Sequence, residues 1–225
     1  MRFASIALSC VFTFSALAAR ADDPAALSAE RSQTFVVQSL IDGRQAFIGG
    51  GVLVARSGDV MTIATAAHVV NGPPQSLRIL DTTRRAYYEV LHVRLLLEYD
   101  LAFIRVRAQP DYAMTPPPIA VPQPGEPVVL WGHPARTFWR LASGSVVQSA
   151  AQLPGEDGSP RITIVCPNCE HGDSGSGVFD GNGRLIGILT QAWRSPGHGP
   201  VQFIEVEPAS LISQEAQIED SAASR

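Results

Sequence analysis

Twelve short apolar runs, most of them separated by Gly, Pro, Asn or Asp, constrain this chain to a protein made of strands. Six lie in the first half: Thr34 to Leu40, Gln45 to Arg56, Val60 to Ala64, Leu77 to Leu80, Tyr87 to Leu95 and Leu101 to Arg107. Six more lie in the second: Val128 to Trp131, Leu141 to Gln148, Arg161 to Val165, Gly177 to Asp180, Arg184 to Gln191 and Val201 to Val206. Between the two sets, Ala108 to Pro127 contains seven prolines, including Pro116-Pro117-Pro118. Proline has no N–H and a fixed φ, so neither a helix nor a central strand continues there, and the segment is expected to connect two halves. Asp180-Gly181-Asn182-Gly183 offers the positive backbone angles of a tight hairpin. A single helix is expected at Pro208 to Ile218, followed by a solvated tail.

With 45% apolar and 17% charged residues, 225 residues can bury a substantial core, which excludes whole-chain disorder. Net charge is −4 and no basic run exceeds Arg84-Arg85, so nucleic acid is not an expected partner. All 17 basic residues are Arg, which removes Schiff-base chemistry and a Ser-Lys dyad.

Arg2, the apolar stretch Phe3 to Ala19 and the small-residue pattern Ala19-Arg20-Ala21 make residues 1–21 a secretory signal peptide, with cleavage after Ala21 or after Ala18. The mature chain is then expected to be exported to the periplasm or the extracellular space, free of the membrane, with 15 basic and 21 acidic residues. Cys10 leaves with the signal. Cys166 and Cys169 remain in an oxidising compartment; a local disulfide is expected, with a redox pair, free thiols or a zinc site shared with His171 as open alternatives.

Three segments carry the chemistry: Thr65-Ala66-Ala67-His68, Tyr99-Asp100-Leu101-Ala102 and Gly172-Asp173-Ser174-Gly175-Ser176-Gly177. Each sits at the edge of an expected strand, in the order His, Asp, Ser. Together they supply a base, an orienting carboxylate and a nucleophile for acyl transfer. From about Phe47 to Val206 the chain resembles the trypsin-like, chymotrypsin-fold serine proteases. The intervals of 32 and 74 residues between the three resemble the HtrA-type and compact bacterial branch, and a PDZ domain is not expected.

The resemblance implies two six-stranded antiparallel β-barrels with the active site in the cleft between them. The expected plan is signal 1–21, leader 22–33, first barrel 34–107, connector 108–127, second barrel 128–207 and helix with tail 208–225. It further implies His68, Asp100 and Ser174 as catalytic residues, the N–H groups of Gly172 and Ser174 as oxyanion hole, and Asn168, Ala192 and Val201 around the substrate pocket. No carboxylate stands at the pocket base, which disfavours Arg or Lys in the substrate and favours a small or medium apolar side chain. Ser176-Gly177 resembles the ending in bacterial glutamyl endopeptidases, but Leu189 stands where their glutamate-reading His would fall.

In trypsin-like zymogens the residue matching Asp173 pairs with a new N-terminus. This chain has no Ile-Val-Gly-Gly start, so Asp173 is expected to pair with an Arg or a backbone donor and to need no activating cut. His92, His133 and His198 are expected to be structural or exposed. The sequence therefore predicts a cofactor-independent, monomeric serine endopeptidase acting on protein or peptide substrates. A non-catalytic binding module on the same fold and an ester-directed acyl hydrolase are the alternatives.

Overall fold

The computed structural model describes residues 31, 33–108, 113–133, 139–149, 161–194 and 202–223. The segment expected to be a signal peptide, nearly all of the expected leader, Val201 and His198 lie outside them. The first half contains β1 (Thr34–Ile41), β2 (Arg44–Ser57), β3 (Val60–Ala66), β4 (Leu77–Asp81), β5 (Ala86–Tyr88), β6 (Val90–Leu96) and β7 (Leu101–Arg107). They form one antiparallel sheet in the order β5-β4-β1-β2-β3-β7-β6.

Six strands were expected and seven are present, because the run Tyr87 to Leu95 breaks at Glu89. The Glu89 carbonyl accepts the Arg107 N–H at 3.0 Å and its carboxylate receives Arg107 Nε at 2.9 Å. The two edge strands β5 and β6 are thus consecutive and joined through one residue, so the sheet must curl until its edges meet. Closure runs through the covalent chain instead of a ladder. Inside the curl, Phe35, Val37, Leu53, Met61, Ile63, Ile79, Tyr88, Ile104 and Val106 share one buried cluster, with Phe35 and Tyr88 edge to face at 5.9 Å.

The second half contains β8 (Pro127–Gly132), β9 (Arg140–Gln148), β10 (Ile162–Val165), β11 (Gly177–Asp180), β12 (Leu185–Arg194) and β13 (Gln202–Pro208), closed as a barrel in the order β10-β13-β12-β11-β8-β9. Closure by hydrogen bonds removes every free strand edge. The architecture is the all-β, two-barrel arrangement, with one half a closed barrel and the other a curled sheet. Pro118 to Ala120, from the proline-rich segment, lie along the start of β12: Leu185 N–H donates to Pro118 O at 2.8 Å and Ala120 N–H to Leu185 O at 2.9 Å.

Helix α1 (Ala209–Ala223) starts directly after Pro208 and runs five residues beyond the expected end at Ile218. Glu219 to Ala223 include no Gly or Pro, so nothing local stops it. Its Ala209, Ile212 and Ala216 fall on one face and are buried. They join Val52, Ala64, Leu101 and Phe103 of the first half and Val129, Phe179, Leu185 and Ile188 of the second in a single apolar seam. Arg94 on β6 clips the helix by bonding Glu215 Oε2 at 2.7 Å. Among the described residues no helix is long and apolar enough to cross a membrane.

Because Phe179 is fully buried in the seam shared by both halves, Phe179→Ala is expected to cost about 3–5 kcal/mol. The two halves should still unfold in a single transition, as checked by urea titration followed with circular dichroism.

His133, at the end of β8, is fully buried beside Trp139, with ring centroids 4.8 Å apart. Burial pushes its imidazole down to about 4, with the Phe35 backbone pulling weakly the other way. Between pH 6.5 and about 4 the unfolded chain therefore binds a proton that the folded chain does not. The stability contributed by neutral His133 is complete above 6.5 and is lost on acidification to about 4, amounting to about 3 kcal/mol. The raised carboxyl of Asp173 acts with the opposite sign. His133→Phe, which removes only the imidazole contribution, should flatten the fall of Tm over this interval relative to the natural protein.

Candidate active site

His68 sits in a 3-10 turn, Ala67–Val69, that follows β3; its neighbours Ala67 and Val69 are buried and its own side chain is 47% exposed. Asp100 ends a second such turn, Leu97–Tyr99, in the left-handed conformation at φ 51°, which a short polar side chain tolerates. The β3–β7 register pairs Ala66 with Leu101, so the residues just outside the ladder meet as well. Ala67 N–H donates to Asp100 O at 2.7 Å and His68 N–H to Asp100 Oδ1 at 2.9 Å. His68 Nδ1 lies 2.7 Å from Asp100 Oδ2. One carboxylate holds both the backbone and the ring of His68. The contact at Nδ1 favours the tautomer with its proton there, leaving the Nε2 lone pair outward.

Ser174 occupies a turn between β10 and β11 that is docked onto the first half by backbone. Gly50 N–H donates to Ser174 O at 2.8 Å, and Thr65 Oγ1 donates to Gly50 O at 2.6 Å. Gly175 adopts φ 80°, where a Cβ would stand 3.0 Å from Ala66 N, two residues before His68. At Gly49 a Cβ would meet Ser174 O and stand 2.8 Å from a Val69 methyl, so those two groups share the same space. The turn carrying Ser174 and the turn carrying His68 are therefore packed together, while Ser174 Oγ makes no hydrogen bond among the described residues.

Gly172 has φ 104°, and its carbonyl accepts the His133 N–H at 3.3 Å. Among the described residues the N–H groups of Gly172 and Ser174 have no acceptor, whereas those of Asp173, Gly175 and Ser176 are bonded to Glu170 O, Leu189 O and Asp173 O. Asp173 is buried, and its Oδ2 accepts Arg140 Nη2 at 2.9 Å and Glu170 N–H at 2.8 Å, the Arg and the backbone donor expected. Burial pushes its carboxyl up, while the Glu170 N–H and the Arg140 guanidinium pull it back down.

Cys166 and Cys169 form a disulfide across a tight turn, with Cα atoms 5.5 Å apart. The S–S bond agrees with the local disulfide expected at this turn, and among the described residues no group of three or more His, Cys, Asp or Glu side chains could hold a metal ion. Asn168, within the turn, is exposed and accepts the Ser143 N–H at 3.3 Å through Oδ1. Ala192 is exposed on β12 opposite Ile204. His133, expected to be structural, is buried, and His92 is exposed.

The roles of Gly49, Gly50, Thr65 and Arg140 do not emerge from the sequence reading. The run Gly49-Gly50-Gly51 inside an apolar strand is a signal for close backbone approach. A lone arginine carries no comparable signal.

A trypsin-like peptidase domain model matches residues 49–188. In three dimensions the chain is similar to a serine endoprotease from Yersinia pestis, with a TM-score of 0.67 and 20% identity over 87% of this chain and 66% of that one, just under two thirds. It is also similar to Rv3671c from M. tuberculosis, in a mutant inactive form at TM-score 0.65 and 22% identity, covering 88% of this chain and 92% of that one. A second inactive form of the same protease gives 0.63 and 24%, covering 87% and 96%. At these identities the structural likenesses speak for the fold. No curated protein matches. The domain match spans more than half of the chain, which belongs to the trypsin-like peptidase family.

Proposed function

We propose that this protein is an exported endopeptidase that cleaves peptide bonds through an acyl-enzyme formed on Ser174. His68 acts as general base and acid, and Asp100 as its orienting partner. The observation that carries the reading is the two-point hold of Asp100 on His68, at 2.9 Å to the backbone and 2.7 Å to Nδ1. It leaves Nε2 free to take a proton. Ser174 Oγ attacks the scissile carbonyl and passes its proton to His68 Nε2. The C–N bond then breaks and the departing amine takes that proton. Water repeats the sequence on the ester, with His68 again removing and returning the proton.

The negative charge that develops on the carbonyl oxygen in each half needs donors already in place. The unbonded N–H groups of Gly172 and Ser174 support their assignment as the oxyanion hole. The Ser174–His68 hydrogen bond would form with substrate bound, since such bonds are often open in the free enzyme. In this reading 34–107 and 128–207 are the two catalytic halves, 108–127 connects them, and the mature monomer begins after the signal at 1–21.

Asn168, Ala192 and Val201 are assigned to the substrate pocket. The Asn168 amide oxygen is engaged with the Ser143 backbone, and its neutral side chain supports preference for a small or medium apolar substrate residue. A fluorophosphonate should label the mature protein at Ser174, as read by peptide mass. Ser174→Ala should abolish labelling and lower turnover by about 10⁶-fold. Peptide-library profiling should show cleavage after small or medium apolar residues. Labelling at another residue, or full activity in Ser174→Ala, rules out the assignment. Cleavage concentrated after Arg or Lys rules out the pocket reading alone.

A further inference from the structure

On β1, Phe35 and Val37 are fully buried in the core cluster of the first half, and the alternation of a strand puts residue 39 on the same face. A serine stands there, and it too is 0% exposed. A hydroxyl at a position whose neighbours are all apolar costs stability unless it is hydrogen-bonded. Its partners show what it is used for.

Both are main-chain groups of the segment that leaves His68. Ser39 Oγ donates to Val69 O at 2.7 Å and accepts the Asn71 N–H at 3.0 Å. One hydroxyl thus uses its single proton and a lone pair to join β1 to two points just past the imidazole. The β1–β2 register shifts between Ser39 and Leu40, an irregularity of the kind that re-aims a side chain.

The turn that carries His68 has little of its own to hold it. It is three residues long, Ala66 supplies no side-chain cap, and its internal bond is Val70 N–H to Ala67 O at 2.9 Å. Asp100 secures its entry through the Ala67 and His68 N–H groups. Ser39 secures its exit. Without that hydroxyl, Val69 O and the Asn71 N–H lose their partner on β1, and the exit is free to shift with the imidazole attached to it.

We propose that Ser39 is a positioning residue for His68: from β1 it fixes the exit of the turn, so that Asp100 at one end and Ser39 at the other set where Nε2 stands relative to Ser174. The proposal rests on the roles of His68 and Ser174 put forward above. Being fully buried, Ser39 touches no substrate and acts only through the turn.

The test uses the mature protein with Ser39→Ala and Ser39→Cys, each made in the natural sequence and in a His68→Ala background, with kcat and KM read on a chromogenic peptide anilide. Folding is checked by circular dichroism. Ser39→Ala should lower kcat toward the about 10²-fold loss that a misplacement of about 1 Å brings, with KM unchanged. Ser39→Cys, close to serine in size but a weak hydrogen-bonding group, should fall between the two. In the His68→Ala background the residual turnover draws on binding and the oxyanion donors alone, so Ser39→Ala should leave it unchanged. A merely structural serine would lower both.

Unchanged kcat in folded Ser39→Ala overturns the proposal, and so does an equal fold-loss with and without His68. If Ser39→Ala does not fold, Ser39→Cys decides by the same two comparisons. Absence of Ser174 labelling by a fluorophosphonate in the natural sequence would sink the site assignment and this proposal together, whereas the other failures sink the role of Ser39 alone.

Discussion

An amide of one sheet can bond a carbonyl of another only where no side chain stands between them. Gly49 and Gly50 on β2 meet that condition, and Gly50 N–H reaches Ser174 O at 2.8 Å. A Cβ at Gly50 would stand 2.7 Å from Ser176 Cα, closer than real carbon atoms pack. Thr65 Oγ1 completes the contact by bonding Gly50 O from the neighbouring strand, directly before the His68 turn. The turn bearing the proposed nucleophile is therefore located by main-chain bonds and excluded volume. Among the described residues Ser174 Oγ makes no hydrogen bond that the proposed attack would first have to break.

Beneath this contact the two halves share one apolar seam, so they behave as a unit even though each has its own core. Phe103 and Leu101 enter it from β7, Phe179 from β11, and Ile212 from α1. The helix closes the seam on the outside and is tied back to the first half through Arg94 and Glu215. Pro118 to Ala120 lie along β12 and make no regular strand of their own, which suits a segment with few free N–H groups.

Carboxylates in the fold are separated by environment into different tasks. Asp100 is 24% exposed and spends both oxygens on His68, one on its backbone and one on its ring. Asp173 and Asp180 are buried, and each is met by an arginine and by backbone N–H, Arg140 with Glu170 N–H and Arg184 with the N–H groups of Asn182 and Arg184. Buried pairs of this kind add little net stability, because desolvation offsets the attraction. Their effect is to hold a turn in one shape. With no lysine in the chain, the planar guanidinium is the only permanently charged side-chain cation available for this.

Strand positions were legible because a strand is announced locally, by β-branched residues and by the breakers at its ends; β11 falls at Gly177 to Asp180, as expected. The His, Asp and Ser segments were legible because each motif is a short run of adjacent residues. The break at Glu89 was not, since it depends on Arg107, 18 residues away, which receives no mark in the local pattern. An arginine or backbone partner for Asp173 was expected, but that the arginine is Arg140, 33 residues away, was not legible for the same reason. By itself the sequence determined which residue types stand at the ends of which strands, and hence what chemistry the chain could perform. Only the tertiary structure decided which of those ends meet, because antiparallel register and the close approach at Gly50 are set by residues far apart in the chain that become neighbours on folding.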